Sequence, residues 1–169
     1  MKLKTLSLKN FMSFKSLTLD LDKPGLNLVI GKNGSGKSTI AAAISYCLFG
    51  ETIKGITTDS IVRNGEKTCF VSVELDPEDG SDLIVVQRSR TGKKSDLNVT
   101  LQDGTPLFPS ANIVELQKPL NNWLGLDFNV FVNSVYFGRN VNKFFMISSD
   151  NERKELLESV LQMSSFDAP

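Results

Sequence analysis

The sequence contains no histidine and only two cysteines, Cys47 and Cys69, in 169 residues. The first absence removes imidazole general-base chemistry and most zinc-site designs. The two cysteines match no metal-ligand spacing and no redox motif. Cys47 falls on the apolar side of an expected helix, so a small buried thiol is expected there rather than a disulfide. This usage fits a reducing, cytoplasmic compartment. No apolar run approaches the roughly 20 residues of a membrane-spanning helix, and "MKLKTLSLKN" is not followed by the apolar stretch of a signal peptide, so no membrane partner is expected. Global charge is absent too: 19 basic side chains balance 19 acidic ones. Any contact with nucleic acid must then come from a local patch. What remains, with 40% hydrophobic residues, suits one domain with a buried core.

Against these absences stands "VIGKNGSGKSTI", residues 29–40. It carries a glycine, four spacers and then Gly-Lys-Ser, the phosphate-cradling pattern of a loop joining a strand to a helix. Gly31, Gly34 and Gly36 permit backbone conformations closed to other residues and let amides approach an anion. The amides of Asn33, Gly34, Ser35, Gly36, Lys37, Ser38 and Thr39 would converge on phosphates at a helix N-terminus, where the dipole favours negative charge. Lys37 supplies a mobile charge to the β- and γ-phosphates of ATP, and the Ser38 hydroxyl is the expected ligand for Mg²⁺. The bland alternative is an ordinary turn. The context argues against it, because "LNLVI" before the loop reads as a central strand covered on both faces. After it, Ile40, Ala43, Ile44, Cys47 and Leu48 recur at helical spacing up to a capping Gly50.

Elsewhere, "SLTLDLD" alternates with Leu17, Leu19 and Leu21 on one face. Residues 67–102 read as a three-stranded meander with Cys69, Val71, Val73 and Leu75 on one face, and with Leu97, Val99 and Leu101 inward on its last strand. Residues 110–123 look helical, with Pro119 expected to break or kink them. "FNVFVNSVYFGRNVNKFF" is ambiguous between helix and strand, and its aromatics suit core packing better than base stacking, since Phe128, Phe131 and Val135 recur near helical spacing. Ser149-x-x-Glu152 is a capping box opening an amphipathic helix with Leu156, Leu157, Val160 and Leu161 on one stripe.

A complete ATP-hydrolysing site also needs an acidic residue after a second apolar strand. No such run exists here. "VSVELD" comes nearest, but its alternation marks a half-exposed strand with Glu74 on a surface, and no "SGG" signature is present. The chain reads as half a site.

The order of elements explains the halving. "LSLKNFMSFKSLTLDLDKPGLNLVIGKNGSGKSTIAAAISYCLFG", followed by "FNVFVNSVYFGRNVNKFF" and "NERKELLESVLQMSSFD", resembles the N-terminal lobe of SMC-like ATPases of the SbcC type, subunits of a double-strand-break repair nuclease. The resemblance implies an α/β P-loop lobe with a mixed sheet and an antiparallel meander over residues 1–148, and the start of a coiled-coil helix over 149–169. It implies that the missing motifs lie in a C-terminal lobe, and that two copies close over two ATP molecules. An SbcD-type nuclease and double-stranded DNA are the further partners it implies, in the cytoplasm on the nucleoid. A RecF- or SMC-type ATPase without a nuclease is the alternative, and a non-hydrolysing nucleotide-binding module the other. The chain departs from the family twice. Arg139 stands where a glutamine usually meets Mg²⁺ and its water, a role a guanidinium cannot fill because it has no acceptor; either Asn140 substitutes through a shifted loop or Arg139 reaches a phosphate. Met12 stands where many relatives have arginine.

Arg88, Arg90, Lys93 and Lys94 surround an expected hairpin turn in "QRSRTGKKS". They are either a solvated turn with edge-protecting charges or a contact to the phosphate backbone of duplex DNA, which Lys2, Lys4 and Lys9 would join.

Overall fold

The computed structural model describes residues 1–53, 56–109, 112–136, 149–151 and 153–154. They fall into two compact units, Met1–Leu120 and a second beginning at Asn121.

The first unit is built on a five-stranded sheet. β1 (Lys2–Phe11) turns back into β2 (Phe14–Asp20), and β3 (Thr68–Asp76), β4 (Ile84–Thr91) and β5 (Lys94–Leu101) form the expected meander. The order is β2-β1-β3-β4-β5, every pair antiparallel. Register carries the period-2 pattern of each strand across the whole sheet. Leu19, Leu6, Val73, Val86 and Val99 stand side by side in one apolar row. On the opposite face the neighbouring row reads Thr18, Ser7, Ser72, Gln87 and Asn98.

Helix α1 (Lys37–Phe49) packs on the apolar face against β3, β4 and β1. Ala42, Ala43, Ser45, Tyr46, Cys47, Leu48 and Phe49 are all buried. The helix is therefore enclosed around most of its girth over its last two turns, more than a single stripe provides. Gly50 closes it as expected, at φ 78°, with its N–H donating to the Tyr46 carbonyl at 2.8 Å.

Three expectations need correcting. Residues 26–30 form no strand: Leu26, Leu28, Val29 and Ile30 are 97, 76, 51 and 84% exposed. Apolarity marks a surface that gains from being covered, but a strand also requires a neighbouring backbone to bond, and none of the described residues lies alongside. The sheet is consequently all antiparallel rather than mixed. Pro119, expected to break or kink the helix, does not break α2 (Ile113–Leu124), which runs through it. Leu116 and Leu120, 4% and 0% exposed, bury either side of the proline, and that burial offsets one missing backbone bond.

In the second unit, Phe128–Val130 and the π-helical turn Phe131–Val135 resolve the ambiguous segment as helical over its described part. Asp127 caps it, accepting from the Val130 N–H at 2.9 Å. The wide turn buries Val130, Phe131 and Val132 and leaves Val135 exposed, so the expected stripe is shifted. The Arg153 N–H reaches the Ser149 carbonyl at 3.0 Å; Glu152 and the stripe from Leu156 to Leu161 lie outside the described residues. Among the described residues no helix is long and apolar enough to cross a membrane.

Candidate functional site

The glycine-rich loop leads straight into α1, and its curl is held by its own lysine. Lys37 Nζ donates to the carbonyl of Gly31 at 2.7 Å and to that of Lys32 at 2.9 Å. The Ser35 N–H donates to Lys32 O at 3.2 Å, and the Thr39 N–H to Gly36 O at 2.8 Å. An ammonium has three donors, so the two carbonyls leave one for an incoming anion. The amides of Ser35 and Thr39 are thus used within the loop. Those of Lys37 and Ser38, in the first turn of α1, have no carbonyl to reach inside the helix. Ser38 is exposed and Thr39 buried, so the hydroxyl expected to meet a metal is the one facing out.

Gly36 shows why the loop needs glycine. Its φ is 94°, and a Cβ there would stand 2.6 Å from Ser13 Oγ and 2.8 Å from the Phe14 ring. The β1–β2 turn is therefore the wall against which the loop is set. That turn is strained at Asn10 and Met12, with φ 52° and 47°. The segment after a short 3₁₀ helix (Thr58–Ile61) holds it in place. Met12 N–H donates to Ile61 O at 2.7 Å, Arg63 N–H to Asn10 O at 2.9 Å, and Arg63 Nη1 to Ser13 O at 2.6 Å. Arg63 escaped sequence reasoning because nothing in "IVRNGE" connects it to a turn fifty residues earlier.

The four basic residues expected at the β4–β5 turn divide. Lys93 and Lys94 are exposed at the hairpin. Arg88 and Arg90 point inward, 3% and 7% exposed. Arg88 Nε donates to Cys47 O at 3.0 Å and its Nη2 to Gln117 Oε1 at 2.5 Å, with its guanidinium 5.8 Å from the Tyr46 ring centre. Burial pulls its pKa down. Arg90 Nη1 donates to Ser95 Oγ at 3.1 Å. Neither guanidinium sits on a solvated turn, and a phosphate contact by either requires this packing to open. β4 alternates in phase from Ile84, so Arg88 and Arg90 fall on its buried face.

Lys2 and Lys4 do not join Lys9 either. They lie at the opposite end of β1, where Asp22 bonds Lys2 at 2.7 Å and Lys4 at 2.9 Å, and Asp76 meets Lys4 at 3.3 Å. The end that carries the β4–β5 hairpin instead holds Lys67, Lys93 and Lys94, where Thr68 pairs with Thr91 and Thr91 with Lys94. Here a shallow hollow is lined by Val62, Glu66, Lys67, Thr91, Gly92 and Lys93. Arg139 and Asn140 lie outside the described residues.

Cys47 and Cys69 are free and buried. Burial pushes the Cys47 thiol up to about 12 and the Cys69 thiol to about 11, so both are protonated at neutral pH. Glu74 is half-buried on β3, on the face away from α1. Among the described residues no group of three or more Cys, Asp or Glu side chains is placed to hold a metal ion.

Residues 5–165 match the family described as AAA domain. The chain is 28% identical to the DNA double-strand break repair Rad50 ATPase of Methanocaldococcus jannaschii, over 99% of this chain and 16% of the relative. It is 32% identical to the SbcC component of the SbcCD nuclease of Deinococcus radiodurans, over 96% of this chain and 19% of the relative. With exonuclease subunit 2 of Enterobacteria phage T4 it shares 28% identity, over 98% of this chain and 29% of the relative. The chain thus spans less than a third of the length of each of these curated relatives. Its fold is shared with the recombination mediator protein RecF in its ATP form, at TM-score 0.52 and 21% identity, over 67% of this chain and 29% of that one. A second RecF structure gives TM-score 0.54 at 23% identity, over 64% and 28%.

Proposed function

This chain belongs to the AAA domain family, and from that premise we propose that it is the ATP-binding N-terminal lobe of a DNA double-strand-break repair ATPase of the SbcC type. The observation that carries the proposal is a formed glycine-rich loop at the end of an apolar segment with no strand beside it among the described residues. Lys37 already grips the loop through two of its own carbonyls. The segment feeding it, residues 26–30, exposes Leu26, Leu28 and Ile30 by three-quarters or more. A backbone that is both apolar and unbonded is completed by strands from another source. In this reading the complementary C-terminal lobe supplies them, together with the acidic residue and the signature segment this sequence lacks.

The lobe's own residues then have defined tasks. The first-turn amides of α1 and the third donor of Lys37 bind the phosphates, and the glycines keep the backbone close to them. Ser38, exposed in the first turn of α1, would hold a Mg²⁺ ion, which when bound would neutralise charge on the β- and γ-phosphates. The fit is adequate only if phosphate oxygens supply most of its ligands, because no carboxylate cluster stands nearby among the described residues. Arg139 serves as a phosphate donor, which its geometry suits better than a metal contact. Two completed copies close over two nucleotides and act on an SbcD-type nuclease. Residues 1–148 form the ATPase lobe and 149–169 begin the coiled-coil helix. Duplex DNA is met by Lys93 and Lys94, with Lys15, Arg63 and Lys67 at the same end of the sheet; Arg88 and Arg90 take part only if their packing opens. The lobe alone hydrolyses ATP negligibly.

Complementation tests this. Lobe and C-terminal partner are mixed, and Lys37-dependent ATP hydrolysis is measured for each alone and for the pair. Turnover should appear only in the mixture. Full hydrolysis by this chain alone would sink the half-site reading. The fold shared with RecF favours, as a second reading, a DNA-binding ATPase with no nuclease; co-purification of a metal-dependent nuclease activity with the full-length protein separates the two.

A further inference from the structure

We infer that Arg88, acting with Gln117, is a positioning residue for nucleotide binding: it anchors the far end of the helix whose near end carries Lys37 and Ser38. The inference rests on the nucleotide-binding reading of that helix and goes beyond it.

Arg88 stands where packing alone calls for an aliphatic side chain. Its register row across the sheet is Leu17, Leu8, Val71, Arg88 and Leu97. A guanidinium that is 3% exposed is costly to desolvate unless its donors are used. Among the described residues no carboxylate meets it; its partners are the Cys47 carbonyl, the Gln117 side chain and the Tyr46 ring. What it does there, and an aliphatic cannot, is finish α1.

The last turn of α1 contains no basic residue. Its closing carbonyls are met by donors from three places. Tyr46 O accepts from the Gly50 N–H at 2.8 Å, Cys47 O from Arg88 on β4 at 3.0 Å, and Leu48 O from Gln117 Nε2 on α2 at 2.8 Å. Arg88 and Gln117 also bond each other, so β4, α1 and α2 share one junction. A cation at a helix C-terminus is favoured by the dipole, more so when partly desolvated. Gly50 is required twice: for its φ of 78°, and because a Cβ there would lie 3.1 Å from Arg88 Nη1.

A 13-residue helix is a rod about 20 Å long. Fixing its C-terminus to β4 and α2 sets its tilt and its position along its own axis. At the other end the loop lies close to the β1–β2 turn, since a Cβ on Gly36 would stand 2.6 Å from Ser13 Oγ and 2.8 Å from the Phe14 ring. Releasing the anchor therefore moves Lys37 and Ser38 relative to the β1–β2 turn, and a displacement on the order of 1 Å is enough to weaken phosphate recognition.

The test is a fluorescent-ATP titration of the full-length chain carrying Arg88→Met, which keeps length and removes the donors. Nucleotide affinity should fall about tenfold, with Gln117→Leu falling about threefold. The double variant should fall no further than about twofold beyond Arg88→Met, since both act at one junction. Arg88→Lys, which restores one charged donor, should recover affinity to within about threefold of the parent. A Val99→Ala variant on β5, chosen for a comparable loss of melting temperature, should leave affinity unchanged. The inference is overturned if folded Arg88→Met binds within about twofold of the parent, or if Val99→Ala weakens binding equally. Should Arg88→Met not fold, undiminished affinity in Gln117→Leu overturns it. Parent and Lys37→Ala are titrated alongside. A parent without Lys37-dependent binding rejects the proposed function, whereas Lys37-dependent binding indifferent to Arg88 rejects only the anchor.

Discussion

The five-stranded sheet and the segment from Lys23 to Gly36 begin from similar raw material and end differently. Both contain alternating or continuous apolar residues. In the sheet, Leu6, Val71, Val73 and Val86 are fully buried, and each strand bonds its neighbours through a continuous antiparallel register. In the segment, Leu26, Leu28 and Ile30 stand in solvent, with no ladder bonds to any of the described residues. The sheet is finished by neighbouring strands of the chain itself; in the proposed reading the segment is finished by a lobe that docks on it. The comparison separates the part of the molecule that serves stability from the part to which the proposed function assigns binding.

The largest effect expected is at the boundary between the two. Lys37→Ala should reduce ATP affinity about a hundredfold or more, measured by calorimetry, because the loop loses both its brace and its charge toward phosphate. Its melting temperature should barely change, since the lysine bonds only its own loop. A Lys37→Ala protein that unfolds would place the loop with the sheet and break the comparison.

Truncating one leucine on each side sharpens the contrast further. Leu75 is 1% exposed and Leu28 76% exposed. Urea unfolding of the 169-residue chain should register a loss of about 2–5 kcal/mol for Leu75→Ala and within about 0.5 kcal/mol for Leu28→Ala. With the complementary lobe present, Leu28→Ala should weaken assembly instead. Equal costs in the chain alone would mean that residues 26–30 are covered after all.

Within the loop, two glycines differ in the same way. Gly34 has φ 80° but open space around a would-be Cβ, whereas at Gly36 that atom collides with Ser13 and Phe14. Gly34→Ala should cost about 1 kcal/mol of stability and Gly36→Ala about 2–3, by chemical denaturation. Gly36→Ala alone should also weaken nucleotide binding, because only there must the β1–β2 turn give way.

The smallest effect lies at the acidic end of the sheet. Hydrogen bonds from Lys2 and then Lys4 hold the Asp22 carboxyl below its ordinary range. A folded pKa below the unfolded one gives a stabilising contribution that is present above the unfolded value of about 3.9. That contribution fades as pH falls through the lower folded value. Asp22→Asn should therefore lower the melting temperature slightly at neutral pH and make the acid limb of the stability curve shallower. Added salt should shrink the difference, because these groups are solvent-exposed. A steeper acid limb in Asp22→Asn would show that the cluster is strained rather than paired.

How much could be read beforehand varied with the reach of the signal. The meander's buried faces, the span of α1 and its Gly50 cap all follow from periodicity within a dozen residues. Clustered charge around Arg88 and Arg90 suggests a solvated turn or a phosphate contact, yet both side chains are buried. The phase of β4, in which Ile84, Val86, Arg88 and Arg90 share a face, already contained the correction, and the partner that makes an inward arginine tolerable did not. Pro119 works in the opposite sense: the local rule allows a break or a kink, and the break is overridden by the burial of Leu116 and Leu120.

The curl of the glycine-rich loop was determined by the sequence alone, because its glycines, lysine and serine are contiguous and it is closed by bonds no longer than six residues in span. The fate of "LNLVI", the separation of Lys2 and Lys4 from Lys9, and the anchoring of α1 by Arg88 and Gln117 were decided by the tertiary structure. Each depends on which distant backbone or side chain arrives beside it, 41 positions away for Arg88 and Cys47 and 69 for Gln117 and Leu48. Hydrophobicity and charge specify that a group needs a partner; only the folded chain settles whether one is there.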